Sequence, residues 1–298
     1  MTEKIAVILV NFNGKKYNKT CIESILNSTV REKITIVVVD NASTDGSLEE
    51  LRQYEAENPQ LHLIQLDDNY GFSKGNNEGI RWAMEQGCDY FLLLNNDTEI
   101  LPDAIEKLLV YQKENGGIVV PKILYADRPD VIWFAGGKFT KIIKKPVQIG
   151  LNQKDIGQYD RNRVCDFANG CCMLLDRQVI QTLGYLDERF FLYYEDTEYS
   201  FRAGRRGIVI RYCADAVIYH KVNGSTKGNE RPASVYYITR NWLICNRTYL
   251  KSRFPVFLVY FMCNRAAWAL IWLIQGKSEM IRAELRGISD YYRKNYGR

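Results

Sequence analysis

Four short apolar runs lie in the first hundred residues of this chain, and the first two are rich in β-branched residues. They occupy residues 5–10, 34–39, 61–66 and 90–94. Segments with apolar residues at helical spacing lie between them, at residues 18–27, 47–57 and 74–86. Strands that alternate with helices and are apolar on both faces are typical of a parallel sheet with helices on both sides. The pattern predicts an α/β fold with a mostly parallel central sheet.

Each apolar run leads directly into Asn or Asp. The segments are Asn11-Phe12-Asn13-Gly14, Asp40-Asn41, Asn69-Tyr70-Gly71 and Asn95-Asn96-Asp97. In sheets of this kind, ligands lie beyond the carboxyl ends of the strands. Asn, Asp and Gly also favour turns, so each segment taken alone has turn chemistry as an alternative. Four such segments at one edge of the sheet predict a polar binding site there.

The remainder of the chain is less regular. From about residue 110 to residue 159 the pattern loosens, and we expect strands and mobile loops over the sheet, with a lid as one alternative. A second dense region, residues 167–220, contains an aromatic run at 190–194, the acidic pair Glu195 and Asp196, and a helical segment that ends at Gly207. This region is therefore expected to add a second set of polar groups to the sheet.

Six stretches of the sequence resemble family 2 glycosyltransferases with the GT-A nucleotide-sugar fold. In chain order they read VILVNFNG, VVVDNASTDGS, NYGFSKGNNEGI, LLLNNDT, GYLDERFFLYYEDTEYSFRAGRRG and YYITRNWL, and they cover roughly residues 5–250. Each is weak alone, but all six occur in the order of the family. The similarity is greatest to the branch of bacterial polysaccharide enzymes that includes rhamnosyl- and galactofuranosyltransferases. It implies a GT-A catalytic domain, inverting sugar transfer and a divalent metal cofactor, Mn²⁺ or Mg²⁺.

The resemblance implies a metal site after the fourth apolar run. Asp97 matches the last Asp of the DxD-type motif of the family and is the expected metal-binding carboxylate. Asn96 is expected to contact the donor ribose or phosphate, although the family often has Asp at Asn95 or Asn96. His220 lies at the spacing of a second metal ligand in relatives; a structural histidine after an apolar strand is the alternative. With one carboxylate, we expect weak metal binding in the absence of nucleotide.

Donor-binding residues are also implied by the resemblance. Asp40 matches the Asp that accepts a hydrogen bond from the pyrimidine base, and Phe12 with the backbone of Val10 is expected to pack against that base. A core role for Phe12 is the alternative. The other expected donor-binding residues are Asn69, Lys74 and Arg240, the last of which is suited to grip a diphosphate.

Asp196 is the expected general base. In an inverting transfer, a carboxylate takes the proton of the acceptor hydroxyl as that oxygen attacks the anomeric carbon. Asp196 matches the base of relatives, whereas an acidic pair that only favours the helix dipole is the alternative. The neighbouring Tyr193, Tyr194 and Glu195 are expected on the acceptor side of the site.

The expected activity is transfer from a UDP- or dTDP-sugar to a glycan acceptor, expected to be lipid-linked, in polysaccharide or cell-wall biosynthesis. dTDP-rhamnose is the leading donor by resemblance, ahead of UDP-galactofuranose, UDP-galactose and UDP-GlcNAc. One alternative is a nucleotidyltransferase, but NFNGKKY is a poor phosphate loop. The other is a non-catalytic nucleotide-sugar-binding or scaffolding protein of a polysaccharide assembly complex.

The C-terminal part is basic and apolar. We divide the chain into a catalytic domain at residues 1–245 and a helical segment at residues 246–298. From Asn241 onward there are ten basic and three acidic residues, and residues 254–274 are apolar except for Asn264 and Arg265 at their centre. An interfacial helix on a membrane fits this pattern better than a spanning helix, because an arginine at the bilayer centre is costly. Packing on the core or on a second subunit is the alternative.

Cysteine usage and the N-terminus bear on location. The eight cysteines include no CxxC pair and no spacing suited to zinc, which favours reduced thiols in a cytosolic setting. The first apolar run is too short for a signal peptide. We therefore expect a cytoplasmic protein at the inner face of the cell membrane, with a homodimer as one alternative and no nucleic-acid partner.

Overall fold

The computed structural model describes residues 3–221 and 231–298 of the chain. The strands are β1 (Ile5–Asn11), β2 (Ile34–Asp40), β3 (Leu61–Gln65), β4 (Tyr90–Asn95), β5 (Thr98–Ile100), β6 (Ile118–Tyr125), β7 (Ile132–Phe134), β8 (Gly137–Phe139), β9 (Pro146–Gln148), β10 (Arg163–Cys165), β11 (Cys172–Asp176) and β12 (Ile210–His220). The helices are α1 (Lys15–Leu26), α2 (Ser47–Glu57), α3 (Gly71–Glu85), α4 (Ala104–Asn115), α5 (Arg177–Leu183), α6 (Glu195–Arg205), α7 (Pro232–Leu250), α8 (Phe254–Ile274) and α9 (Ser278–Arg293).

One curled sheet forms the centre of the molecule. Its strand order is β10-β12-β6-β11-β4-β1-β2-β3. The strands β3, β2, β1 and β4 are parallel neighbours, as the alternation of strands and helices predicted. Beyond β4, the antiparallel strand β11 connects this half to the parallel pair β6 and β12. The carboxyl ends of β1, β2 and β4 therefore lie side by side.

Glycines let α3 pack close to the sheet. A Cβ on Gly75 would lie 2.8 Å from a methyl carbon of Val10, and one on Gly79 would lie 2.5 Å from a methyl carbon of Ile8. Both strand residues belong to β1, whose side chains are almost wholly buried. The helix can thus approach the strand that carries the predicted binding residues only because these positions have no side chain.

For residues 110–159 we expected strands and mobile loops over the sheet, but the strand β6 belongs to the sheet itself. This strand lies inside the sheet between β11 and β12, and every residue of it is buried. The sequence does not reveal β6 as a buried strand because Pro121 and Lys122 interrupt its apolar run. The ammonium group of Lys122 is buried but is paired with Asp155, at 2.9 Å, and with Asp160.

The C-terminal helices pack on the catalytic region as a group. α7 packs along α9 and also contacts α8. α7 runs without interruption from Pro232 to Leu250, through the predicted domain boundary at residue 245, which stays a prediction. The side chain of Asn241 on α7 donates to the carbonyl groups of Leu192 and Tyr193, at 2.9 and 2.8 Å. The helical segment is thereby tied to the loop that precedes Asp196.

Candidate active site

Asn11 and Asp40 form the floor of the site at the ends of β1 and β2. The two residues are register partners, and Asn11 Nδ2 donates to Asp40 Oδ1 over 2.6 Å. Ser43 donates to both oxygens of Asp40, from its backbone N–H at 3.0 Å and from its hydroxyl at 2.6 Å. Asp40 is completely buried. The buried carboxylate therefore holds the loop after β2 from below.

Three amides connect this floor to the loop after β4. Asn96 Nδ2 donates to Asn18 Oδ1 at 2.8 Å and to Asn11 Oδ1 at 3.1 Å. Asn18 Nδ2, from α1, donates to the same oxygen of Asn11 at 3.0 Å. The predicted donor residue Asn96 is thus fixed in place before any ligand binds.

Gly14 leaves room for this amide cluster, which leads to a testable prediction. A Cβ at Gly14 would lie 2.3 Å from Asn96 Nδ2 and 2.4 Å from Asn11 Oδ1. We expect Gly14→Ala to lower the free energy of unfolding by about 1–3 kcal/mol, because buried hydrogen bonds must break or shift, and to weaken nucleotide binding. Urea unfolding and calorimetry measure the two effects.

Gly204→Ala is the matched control for that substitution. Gly204 lies in α6, where a new Cβ would meet no atom within 4 Å. Alanine is favoured over glycine within a helix by about 0.5–1 kcal/mol. A Gly14→Ala protein as stable as the Gly204→Ala protein would contradict the role assigned to the amide cluster.

Asp97 and His220 meet at the edge of the sheet. His220 Nε2 lies 3.1 Å from Asp97 Oδ1, and the pairing of β12 with β5 sets this approach by placing His220 opposite Thr98. The ring of His220 is buried edge-on against Trp133, with 4.5 Å between ring centres. Its Nδ1 is buried and has no hydrogen-bond partner among the described residues.

This pair fits a weakly held divalent cation. It presents one carboxylate oxygen and one imidazole nitrogen, both of which are common ligands of such ions. Within the described residues 3–221 and 231–298, no cluster of three or more His, Cys, Asp or Glu side chains is placed to bind a metal. A full coordination shell would therefore need oxygen atoms from a substrate or from water.

Asp196 lies in the first turn of α6 and is largely enclosed. Its Oδ2 accepts from the backbone N–H of Gly170 at 3.1 Å, and its Oδ1 accepts from the N–H of Thr197 at 2.6 Å. Burial raises the pKa of Asp196, although these hydrogen bonds act in the opposite direction. Burial and the neighbouring charge of Asp196 raise the pKa of Glu195 well above its usual range, and Glu195 Oε2 has no hydrogen-bond partner in the part of the chain that the structure describes.

Residues 170 and 171 join the two halves of the site. The backbone N–H of Gly170 binds Asp196, and the carbonyl of Cys171 accepts from the N–H of Asn95 at 2.9 Å. Asn95 precedes Asp97 by two residues. The metal-binding candidates and the candidate base therefore lie at the same end of the sheet, where the backbone of residues 170 and 171 connects them.

The tyrosines before Asp196 have an unusual backbone. Tyr193 and Tyr194 have φ values of 67° and 74°, in the left-handed region that residues other than glycine rarely adopt. Asn241 binds this loop, and the Tyr193 hydroxyl lies 3.1 Å from the Ser234 hydroxyl. Tyr194 packs against a cluster of buried apolar side chains that includes Trp242 of α7 and Phe257 of α8. The loop is thus held by α7, while the acceptor-binding roles of both tyrosines stay predictions.

Four donor-binding candidates lie around the same edge. Phe12 is 48% exposed at the loop after β1, whereas Val10 is half-buried beneath α3. Asn69 Oδ1 accepts from the backbone N–H of Gly71 at 2.9 Å and so supports the start of α3. The Lys74 ammonium lies 3.5 Å from the centre of the Tyr70 ring. Of these side chains, Phe12 is the one most open to a ligand.

Arg240 does not reach the site, contrary to the sequence-based expectation. It is completely buried between α7 and the C-terminal end of the chain. Its Nη1 donates to the Tyr236 hydroxyl at 3.1 Å, and that hydroxyl donates to Asp290 at 2.8 Å. The guanidinium group also stacks on the rings of Tyr236 and Tyr237. Arg240 therefore stabilises the packing of α7 on α9 and presents no charge to a diphosphate.

Comparison with known sequences decides the family. The sequence model for glycosyl transferase family 2 matches residues 6–184. The low-salt glycan biosynthesis hexosyltransferase Agl10 of Haloferax volcanii is 31% identical over 255 residues, which are 85% of this chain and 78% of that protein. The chain belongs to glycosyl transferase family 2.

A further relative agrees with the branch, and a solved structure agrees with the fold. The dTDP-rhamnosyl transferase RfbF of Shigella flexneri is 26% identical over 269 residues, or 87% of this chain and 84% of that protein. The structure of GalNAc-T7 with UDP, GalNAc and Mn²⁺ superposes with a TM-score of 0.68 at 14% identity and covers 86% of this chain. The chain spans 49% of that longer protein, and the likeness confirms the GT-A fold.

Several residues of this glycosyltransferase were not singled out from its sequence. They are Asn18 of the amide cluster, Gly170 beside Asp196, Trp133 beside His220 and Asn241 behind the tyrosine loop. Asn18 and Asn241 are buried polar residues within helices, a pattern that signals a specific hydrogen bond. Gly170 and Trp133 lie in irregular segments, where the sequence carries no periodic signal.

Proposed function

We propose that this family 2 glycosyltransferase moves a sugar, with inversion, from a dTDP- or UDP-sugar to a hydroxyl group of a lipid-linked glycan acceptor. dTDP-rhamnose is the leading donor. One observation carries the proposal: the Asp97–His220 pair and the Asp196 carboxylate face one edge of the sheet, joined through Gly170 and Cys171. A leaving diphosphate and an incoming hydroxyl need these two kinds of group close together.

The donor nucleotide is proposed to bind over the ends of β1 and β2. Phe12 is exposed there and is suited to cover a base. We assign Asp40 a positioning role, because its carboxylate is buried and holds Ser43 and Asn11. The dTDP-rhamnosyl activity named for the Shigella relative and the UDP bound to GalNAc-T7 both support a pyrimidine nucleotide.

Asp97 and His220 are proposed to hold a divalent cation together with the donor. Such an ion stabilises the negative charge that develops on the diphosphate as the sugar leaves. The Mn²⁺ in the GalNAc-T7 structure supports Mn²⁺ as the first ion to test. Because the protein supplies only two ligands, we expect the ion to bind tightly only when the nucleotide is present.

Asp196 is proposed as the general base. Its carboxylate takes the proton of the acceptor hydroxyl while the new oxygen–carbon bond forms and the bond from the anomeric carbon to the diphosphate breaks. The negative charge of the acidic pair is assigned to Asp196, since it receives N–H donors from Gly170 and Thr197. Glu195 Oε2 receives none from residues 3–221 and 231–298, which favours a protonated, neutral Glu195.

A thermal-shift panel tests the proposed donor class. We expect UDP or dTDP to raise the melting temperature in the presence of Mn²⁺, and GDP to leave it unchanged. Excess EDTA should reduce the shift, because the diphosphate then loses its bridging ion. The absence of any shift with both pyrimidine nucleotides would exclude the proposed donor site.

A further inference from the structure

α8 has two very different faces. Its inner stripe, made of Phe254, Phe257, Phe261 and Trp272, is buried against the rest of the protein. Trp242 of α7 packs edge-on against this stripe, with ring centres 5.4 Å from Phe257. The outer face is exposed, and its large side chains are all apolar or aromatic: Val256, Val259, Tyr260, Met262, Trp268, Leu270, Ile271, Leu273 and Ile274.

The polar centre of this helix points inward. Arg265 is the sole charged residue among the 21 residues of α8. Its Nη1 lies 3.9 Å from the buried carboxylate of Glu284 on α9, and its Nη2 donates to Asn264 Oδ1 at 2.7 Å. The arginine that argued against a membrane-spanning helix in the sequence is therefore on the protein side. At 1.5 Å per residue, the uncharged outer face is about 31 Å long.

Positive charge flanks α8 in the sequence. Two of the three acidic residues after Asn241, Glu284 and Asp290, are buried, so Glu279 alone among them is exposed. Exposed basic residues precede α8 and follow along α9 to the C-terminus: Arg247, Lys251, Arg253, Arg282, Arg286, Arg293, Lys294 and Arg298. Each such residue near an anionic membrane contributes about 1 kcal/mol of attraction.

We propose that the outer face of α8 is a membrane-binding surface that lies flat in the interface of an anionic lipid bilayer. The segment from Pro232 to Ile274 is long and apolar enough to cross a membrane, with a mean hydropathy of 1.6 in its most apolar window. However, if α8 crossed the membrane, its inner stripe would lose its contacts with α7, and the Arg265–Glu284 pair would be exposed to lipid. A flat position leaves both contacts intact.

A bilayer fits this surface better than a second copy of the chain. Two copies that met through their α8 helices would bring the basic residues before and after α8 in one copy toward those of the other, which is electrostatically unfavourable. An anionic bilayer complements both the apolar outer face and these basic residues. The proposal goes beyond sugar transfer and does not depend on it, because binding to lipid requires neither donor nor metal.

Vesicle sedimentation of the full chain without nucleotide tests the membrane-binding surface. We expect binding to phosphatidylcholine vesicles that contain phosphatidylglycerol, weaker binding to phosphatidylcholine alone, and a decrease with added salt. Leu270→Asp combined with Ile274→Asp should lower the partition coefficient by roughly tenfold or more. Both side chains are exposed, at 59% and 79%, so the variant is expected to keep its melting temperature.

Val110→Asp combined with Ile156→Asp is the matched control. These residues are exposed, at 49% and 79%, but lie outside the helical segment. The control should bind vesicles like the unaltered chain. Brominated lipids should quench the emission of the chain, and Trp268→Phe should remove much of that quenching.

Three results would overturn the proposal. The first is that the unaltered chain binds neither kind of vesicle, and the second is that the α8 variant and its control bind equally well. The third is that light scattering shows a dimer that the α8 variant converts to a monomer, which would identify a second copy as the occupant. Loss of vesicle binding with retained sugar transfer would leave the proposed activity intact.

Discussion

Asp196→Asn is expected to lower the rate of sugar transfer by about 10²–10⁴-fold, the usual contribution of a positioned general base. Asn keeps the shape of Asp but cannot accept the proton of the acceptor hydroxyl. Affinity for dTDP or UDP should remain close to that of the unaltered chain, because Asp196 acts on the acceptor. The measurement is transfer from the sugar nucleotide to a lipid-linked saccharide, together with nucleotide calorimetry on the same preparation.

The pH profile provides a second readout of this carboxylate. A base must be deprotonated, so transfer should fall as the pH decreases through the pKa of Asp196. Because burial raises that pKa, the acidic limb should lie at higher pH than for an ordinary aspartate.

Asp215→Asn is the matched control, since Asp215 is an exposed carboxylate on β12. It should change neither the rate nor the pH profile. Full transfer by Asp196→Asn, or the same acidic limb in that variant, would contradict the assignment.

Asp97→Asn is expected to have the second large effect. It removes the sole carboxylate of the proposed metal site and leaves His220 without its partner at 3.1 Å. Mn²⁺ should then no longer strengthen nucleotide binding, and transfer should fall by at least about 10²-fold, because a metal ion contributes several kcal/mol of stabilisation to the leaving charge.

The two histidines of the chain serve as a matched comparison for this substitution. His220→Asn should reduce the effect of Mn²⁺ on nucleotide binding less than Asp97→Asn does, because the Asp97 carboxylate remains and still attracts the ion. His62→Asn should leave it unchanged, because His62 stacks on Trp82 at 4.1 Å, away from the site. If Asp97→Asn kept the Mn²⁺ effect on nucleotide binding, the proposed ligand would be wrong.

The parallel half of the fold was predictable because its strands are buried on both faces. Their apolar runs are continuous and end where polar loops begin, so the predicted runs at residues 5–10 and 90–94 differ from β1 and β4 by one residue each. Helix α2 occupies residues 47–57, as predicted. Here local pattern and tertiary burial agree.

The burial of charged side chains in the fold explains why their roles could not be predicted from the sequence. Arg240 and Lys122 appear in the sequence as charged groups available to a ligand or to solvent. In the fold, Arg240 is buried by Tyr236 and Tyr237, and Lys122 is paired with two aspartates. Such partners come from segments distant in sequence, and no spacing rule predicts them. The orientation of Arg265 likewise depends on a distant partner, Glu284 on α9.

Calorimetric titration of Mn²⁺ into the unaltered chain, with and without dTDP or UDP, most directly tests a diphosphate site completed by Asp97 and His220. We predict weak binding to the free chain and much tighter binding when either nucleotide is present, because the diphosphate adds ligands that the protein lacks. Equally tight binding to the free chain, or no binding with either nucleotide, would contradict the account.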